Sequence, residues 1–154
     1  MGTNDFTEEE KKSIKSIESL LIAYPKTEHR IEKMKIEIEI IEHDYETLKG
    51  QSDNKIKAST RTNETHDLSD NMMNKETRII NLKNKIFKEK MTARMIKNAM
   101  NSLSEEDRKF ISDRYFERMS PKLMAGAYYC TETWIFIRSR LIIKDKLMQY
   151  IDVI

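Results

Sequence analysis

Residues 120–140 read SPKLMAGAYYCTETWIFIRSR, and the fold of the chain turns on how this stretch is interpreted. Ser120-Pro121 is a helix start: a hydroxyl cap followed by the residue whose missing N–H costs nothing at the first helical position. The helix it opens is short, ending near Ala127. Thr131 then caps another, which contains Trp134, Ile135, Ile137, Leu141, Ile142, Leu147 and Ile151. Around the second cap stand the side-chain types that two touching helices need. Ala125 is small where the backbones approach, and Met124, Tyr128, Cys130 and Ile135 form a shared core. Their spacing across the unit is that of a helix-turn-helix, whose second helix lies in the major groove of duplex DNA.

Upstream, Ser104 followed by Glu105, Glu106 and Asp107 is a further cap, with acids against the positive end of the helix dipole. Phe110, Ile111, Tyr115 and Phe116 give that helix its apolar face, and it should end near Arg118 and Met119. Residues 103–154 therefore form a C-terminal helical bundle. Residues 68–102 read as a long connecting helix, with Ile79, Leu82, Ile86, Ala93, Ile96, Met100 and Leu103 in alternating steps of three and four and Glu89 in one slot of that seam. Residues 51–67, QSDNKIKASTRTNETHD, bury almost nothing and read as a polar flexible linker, with Gly50 stopping the preceding helix.

Residues 1–50 read as amphipathic helix in two pieces. Ile14, Ile17, Leu21 and Tyr24 share a face, Pro25 kinks or ends the helix, and Ile31, Met34, Ile38, Ile41, Tyr45 and Leu48 make a second coiled-coil seam. The two seams fit equally an antiparallel hairpin within one chain and a homodimer formed through the N-terminal helices. The fold expected is all-α: long N-terminal helices, coiled-coil or hairpin-like, followed by the helix-turn-helix bundle.

Composition agrees and narrows the function. Of 154 residues 35% are charged and 38% apolar, with three glycines and two prolines, too few for a strand-rich fold. One cysteine excludes an intrachain disulfide and a four-thiolate zinc site. His29, His43 and His66 have no partners at metal spacing, and Gly2, Gly50 and Gly126 are too scattered for a phosphate loop, so no cofactor, no metal and no catalysis are expected. No apolar run reaches the roughly 18 residues that span a bilayer, and MGTNDFTEEEKK lacks the layout of a secretory signal. The expectation is a cytoplasmic protein without membrane contact.

The run from Leu103 to Leu147 resembles the helix-turn-helix of sigma-factor region 4, and more closely the late-gene activators of the RinA and ArpU type from phages and prophages. The likeness is carried by Leu103, Glu106, Arg108, Ile111, Tyr115, Phe116, Glu117, Ser120, Met124, Ala125, Cys130, Thr131, Glu132, Ile135 and Arg138. Tyr129 stands where that family has a turn glycine, so either it adopts a backbone uncommon for a side-chain-bearing residue or the turn is altered. Trp134 stands where the family's recognition helix has threonine. The resemblance implies a transcriptional regulator in the bacterial host cell that activates late genes and contacts bacterial RNA polymerase.

On duplex DNA, the outward residues of the recognition helix would be Thr131, Glu132, Thr133, Phe136, Ile137 and Arg140. Arg140 could fork onto guanine, Glu132 accept from a cytosine amine, and Phe136 or Ile137 pack on thymine methyls. Ser120, Lys122, Arg138 and Lys144 are placed to meet phosphates, with Arg138 alternatively tied to Glu117 or Asp113. The module is nearly charge-neutral, so dimerisation would strengthen binding by doubling phosphate contacts. Rival readings are a small terminase-like packaging subunit and a helical module that binds protein through Phe136 and Ile137.

Overall fold

The computed structural model describes the backbone of residues 6–58 and 62–151, and the side chains of residues 6–44 and 73–151. Thr7 opens the first helix, α1 (Glu8–Ala23): its hydroxyl accepts from the Glu10 N–H at 3.1 Å, and three glutamates fill the first turn. Pro25 ends α1 in a 3₁₀ turn, Tyr24–Lys26, and α2 (Thr27–Ala58) follows. Next come α3 (Thr62–Asn101), α4 (Glu105–Ile111), α5 (Pro121–Ala127) and α6 (Glu132–Ile142). Both α4 and α6 run on into a wider π-helical turn, Ser112–Phe116 and Ile143–Leu147. The protein is all-α, and no strand occurs among the described residues.

Gly50 does not stop α2, and of the stretch 51–67, expected as a polar flexible linker, residues 51–58 and 62–67 are helical in backbone while 59–61 lie outside the described residues. A glycine inside a helix costs only about 1 kcal/mol, and the stretch contains no proline. Its polarity reports a lack of apolar surface to bury, which is a separate matter from helix formation. Tyr45 and Leu48, expected in the seam, lie outside the described side chains.

The chain divides into two compact units. In the first, Glu28–Glu89, the two seams pair within one chain. Ile31, Ile38 and Ile86 are buried against one another with Met34, Ile79 and Leu82 packed beside them. Arg30 donates through Nε and a terminal nitrogen to one oxygen of Glu89, at 3.2 and 2.8 Å, and Lys75 pairs with Asp44 at 3.7 Å. Residue 30 against 89 and 44 against 75 is antiparallel register, so this unit is a helical hairpin. Glu89 occupies a seam slot because Arg30 reaches it there.

The other unit joins Met1–Thr27 to Lys90–Ile154. Its core takes Ile14, Ile17 and Leu21 from α1, Ile96, Ala99 and Met100 from α3, then Leu103, Phe110, Ile111, Tyr115, Met124, Ile135, Ile142, Ile143, Leu147 and Ile151. Helix α1 thus belongs to the C-terminal bundle, although it precedes it by some 80 residues. The Tyr24 and Phe116 rings meet at 5.1 Å, and the Tyr115 hydroxyl donates to Glu18 at 2.8 Å. No described helix is long and apolar enough to cross a membrane.

Candidate nucleic-acid interface

The connection between α5 and α6 is built from local rules. Ser120 caps α5, its hydroxyl accepting from the Leu123 N–H at 3.2 Å, with Pro121 at the first helical position. At the other end the Tyr128 N–H bonds to the Met124 carbonyl at 2.8 Å and the Cys130 N–H to the Ala125 carbonyl at 3.0 Å. Between them Tyr129 takes a left-handed conformation, with φ at 54°. This is a Schellman closure, which satisfies the orphan carbonyls at a helix end and normally uses glycine at the left-handed residue. The Tyr129 side chain is 95% exposed, so the strain of the position is local to its own Cβ and backbone. Thr131 then caps α6, accepting from the Trp134 N–H at 3.1 Å. Met124 and Ile135 are fully buried where the two helices pack, with Ala125, Tyr128 and Cys130 partly buried around them.

This anchoring settles which side of α6 is left open. Ile135, Ser139 and Ile142 face the core. Thr131, Glu132 and Thr133 are exposed, and Phe136 is 39% exposed. Ile137 and Arg140 are half-buried. The guanidinium of Arg114 lies over the Phe136 ring, 5.3 Å from its centroid. Trp134 and Leu141 are also exposed on α6, and Leu123 on α5. Ser120 and Lys122 are exposed beside this surface, although the Ser120 hydroxyl already serves as a cap.

Two of the expected phosphate contacts are engaged elsewhere. Arg138 lies against α4, donating to Asp107 at 3.3 Å, pairing with Glu106 at 3.9 Å and stacking over the Phe110 ring at 4.4 Å. Its partners are these acids, not Glu117 or Asp113. Lys144 pairs with Glu10 of α1 at 3.0 Å and lies over the Phe6 ring at 4.9 Å. Both cations stitch helices together, so little of their charge faces outward.

Asp107 is the hub of this stitching, receiving Lys146 as well as Arg138. Burial by itself would raise its carboxyl pKa, but the hydrogen bonds and positive charges of Lys146 and Arg138 outweigh that and hold it below the ordinary value. Tyr128 locks the same corner. Its hydroxyl donates to Asp113 at 2.7 Å and its ring meets Phe110 edge-on at 5.2 Å. Burial, together with that bond and the Asp113 charge, pushes the phenol up to about 12, so it stays a donor. Arg108 reaches back over the end of α3, donating to the Met100 and Leu103 carbonyls at 3.1 Å each. That contact accounts for an arginine five residues after Leu103.

A surface that sequence reading missed lies beside α6. Lys11, Lys12 and Lys15 of α1 line a cleft of about 270 Å³ with Arg140 of α6, over Phe6 and Ile14 and alongside Glu8 and Glu18. No sequence pattern joins residue 15 to residue 140; only the packing of α1 onto the C-terminal elements does. Comparison with protein-family models, with curated proteins and with solved structures finds no match to the chain.

Proposed function

We propose that the protein is a sequence-specific, double-stranded DNA-binding regulator of transcription that uses α5 and α6 as a helix-turn-helix. The observation that carries this reading is the closed, capped turn at Tyr129 and Thr131, which fixes the inner face of α6 in the core and leaves Glu132, Thr133, Phe136 and Ile137 on the outer one. In this reading Glu132 and Thr133, at the start of α6, reach base edges, while Phe136 and Ile137 pack on thymine methyls. Ser120 and Lys122 orient the module on phosphates. The resemblance to RinA and ArpU activators supplies the setting: late-gene activation in the cytoplasm of a bacterial host.

A second copy of the chain completes the binding unit. The hairpin unit has an unused outer stripe as well as its inner seam. Met73, Ile80 and Phe87 are exposed on α3 at seven-residue intervals, and Ile36 and Ile40 are exposed on α2. Around these stripes α2 is mostly acidic, with Glu28, Glu32, Glu37 and Glu39, whereas α3 is mostly basic, with Arg78, Lys83, Lys85 and Lys88. Two hairpins related by a two-fold axis would place each acidic helix against a basic one.

Selection of bound fragments from a random duplex pool, followed by gel shifts of the winners, tests the reading. A shared sequence motif and retention that weakens with salt are expected. No retention even at low salt would overturn it. The exposed Trp134, Leu141 and Leu123 favour a second reading, in which the same face docks on a protein such as RNA polymerase. Binding to purified polymerase without DNA would select that one.

A further inference from the structure

Among the described residues, the cleft between α1 and α6 gathers four cations, Lys11, Lys12, Lys15 and Arg140, against two carboxylates, Glu8 and Glu18. Glu8 is paired with Lys11 at 3.5 Å, and Glu18, which accepts from the neutral Tyr115 hydroxyl at 2.8 Å, keeps its charge and offsets one cation, so two positive charges remain in excess. The nearby Glu10 is taken by Lys144 at 3.0 Å. Lys12, Lys15 and Arg140 form no ion pair with another described residue, yet all three line the same cleft. Like charges gathered over an apolar floor repel one another more than they would in open water, and a polyanion relieves that repulsion.

Position along α6 bears on what that anion is. A helix lying in the major groove has base edges under its centre and a phosphate strand along each flank. Arg140 sits where α6 meets α1, half-buried in the cleft wall, and so lies on a flank. We infer that the cleft is a phosphodiester site in which one strand of the duplex backbone runs over α1 and meets Lys12, Lys15 and Arg140. This rests on the duplex-binding reading above and gives Arg140, expected from the sequence to fork onto guanine, a phosphate contact instead. It also gives α1, which lies outside the helix-turn-helix, a direct part in binding.

The test uses the full chain and a set of duplexes, one carrying the selected site and others scrambled, over a range of salt concentrations. Each phosphate contact contributes about 0.9 to the slope of log affinity against log salt. The double variant Lys12→Ala with Lys15→Ala should therefore lower the slope by about 1.8 and weaken binding equally on every duplex. Helix content should not change, since alanine is the stronger helix former. Arg140→Ala should behave alike, lowering the slope by about 0.9 with no change in sequence preference. The control removes two exposed lysines from α2, Lys33→Ala with Lys35→Ala, and should leave the slope unchanged.

Wild-type protein that binds while the Lys12 and Lys15 variant keeps its full slope would overturn the cleft and leave the α6 reading standing. So would equal losses in the α1 and α2 variants, because the effect would then be one of net charge. Loss of sequence preference in Arg140→Ala would return that residue to base reading. A wild-type chain that retains no duplex at all would remove both proposals together.

Discussion

Single residues carry unequal shares of this arrangement, and Tyr129 shows it most simply. A left-handed backbone costs an L-residue about 1–2 kcal/mol, and nothing packs on the Tyr129 side chain in return. Tyr129→Gly should raise stability by about 0.5–1 kcal/mol, part of the relief being offset by glycine's greater freedom when unfolded. Urea melts would show it as a higher midpoint at unchanged slope. Asp107 works through charge. Its folded pKa is depressed, so its contribution is present above the unfolded carboxyl value of about 4 and is lost as pH falls through the folded one. Asp107→Asn should therefore be less stable than wild type at pH 7, and the gap should close as both are melted at successively lower pH. A gap that persists unchanged in strong acid would assign the loss to packing.

Elements differ in how much of them could be read ahead. The caps Ser104, Ser120 and Thr131 were legible because each is a local rule, and all three hydroxyls accept from the N–H three residues on. The π-helical ends of α4 and α6 left no signal, since the same residues suit an ordinary turn. Within α5 two adjacent positions should respond in opposite ways. Ala125 packs partly against the core, so Ala125→Leu should cost about 1–3 kcal/mol. A methyl added at Gly126 meets nothing within 4 Å, so Gly126→Ala should gain up to about 1 kcal/mol from helix propensity. Helix α1 is the decisive element. Ile17 is fully buried in the same core as Ile135, so Ile17→Ala should destabilise by about 2–5 kcal/mol. The fluorescence of Trp134, the single tryptophan, should report that loss although it lies in α6. An unmoved Trp134 transition would detach α1 from the bundle.

At the scale of the whole molecule, periodicity revealed both seams but not their partners. The hairpin pairing of Ile31, Met34 and Ile38 with Ile79, Leu82 and Ile86 was one of two arrangements the spacing allowed. The candidate site divided along similar lines. The outward residues at the start of α6 followed from helix phase. The engagement of Arg138 by Asp107 and of Lys144 by Glu10 depended on which helices pack, which a lone sequence does not encode in any local pattern. For assembly, the outer stripe sets the expectation. Sedimentation should show a dimer, and Phe87→Glu with Ile80→Glu should convert it to monomer without unfolding the hairpin, because both side chains are exposed there. Sedimentation as a monomer for the wild type would refute the two-fold pairing of hairpins.

The bond from Tyr115 to Glu18 spans 97 residues of chain. During synthesis α1 leaves the ribosome well before the C-terminal surfaces that cover Ile14, Ile17 and Leu21 are made. At roughly 5–20 residues per second, its apolar stripe waits several seconds or more in the nascent chain for a partner. The three consecutive glutamates at its start and the lysines along it keep that waiting segment strongly hydrated, and so guard it against premature association.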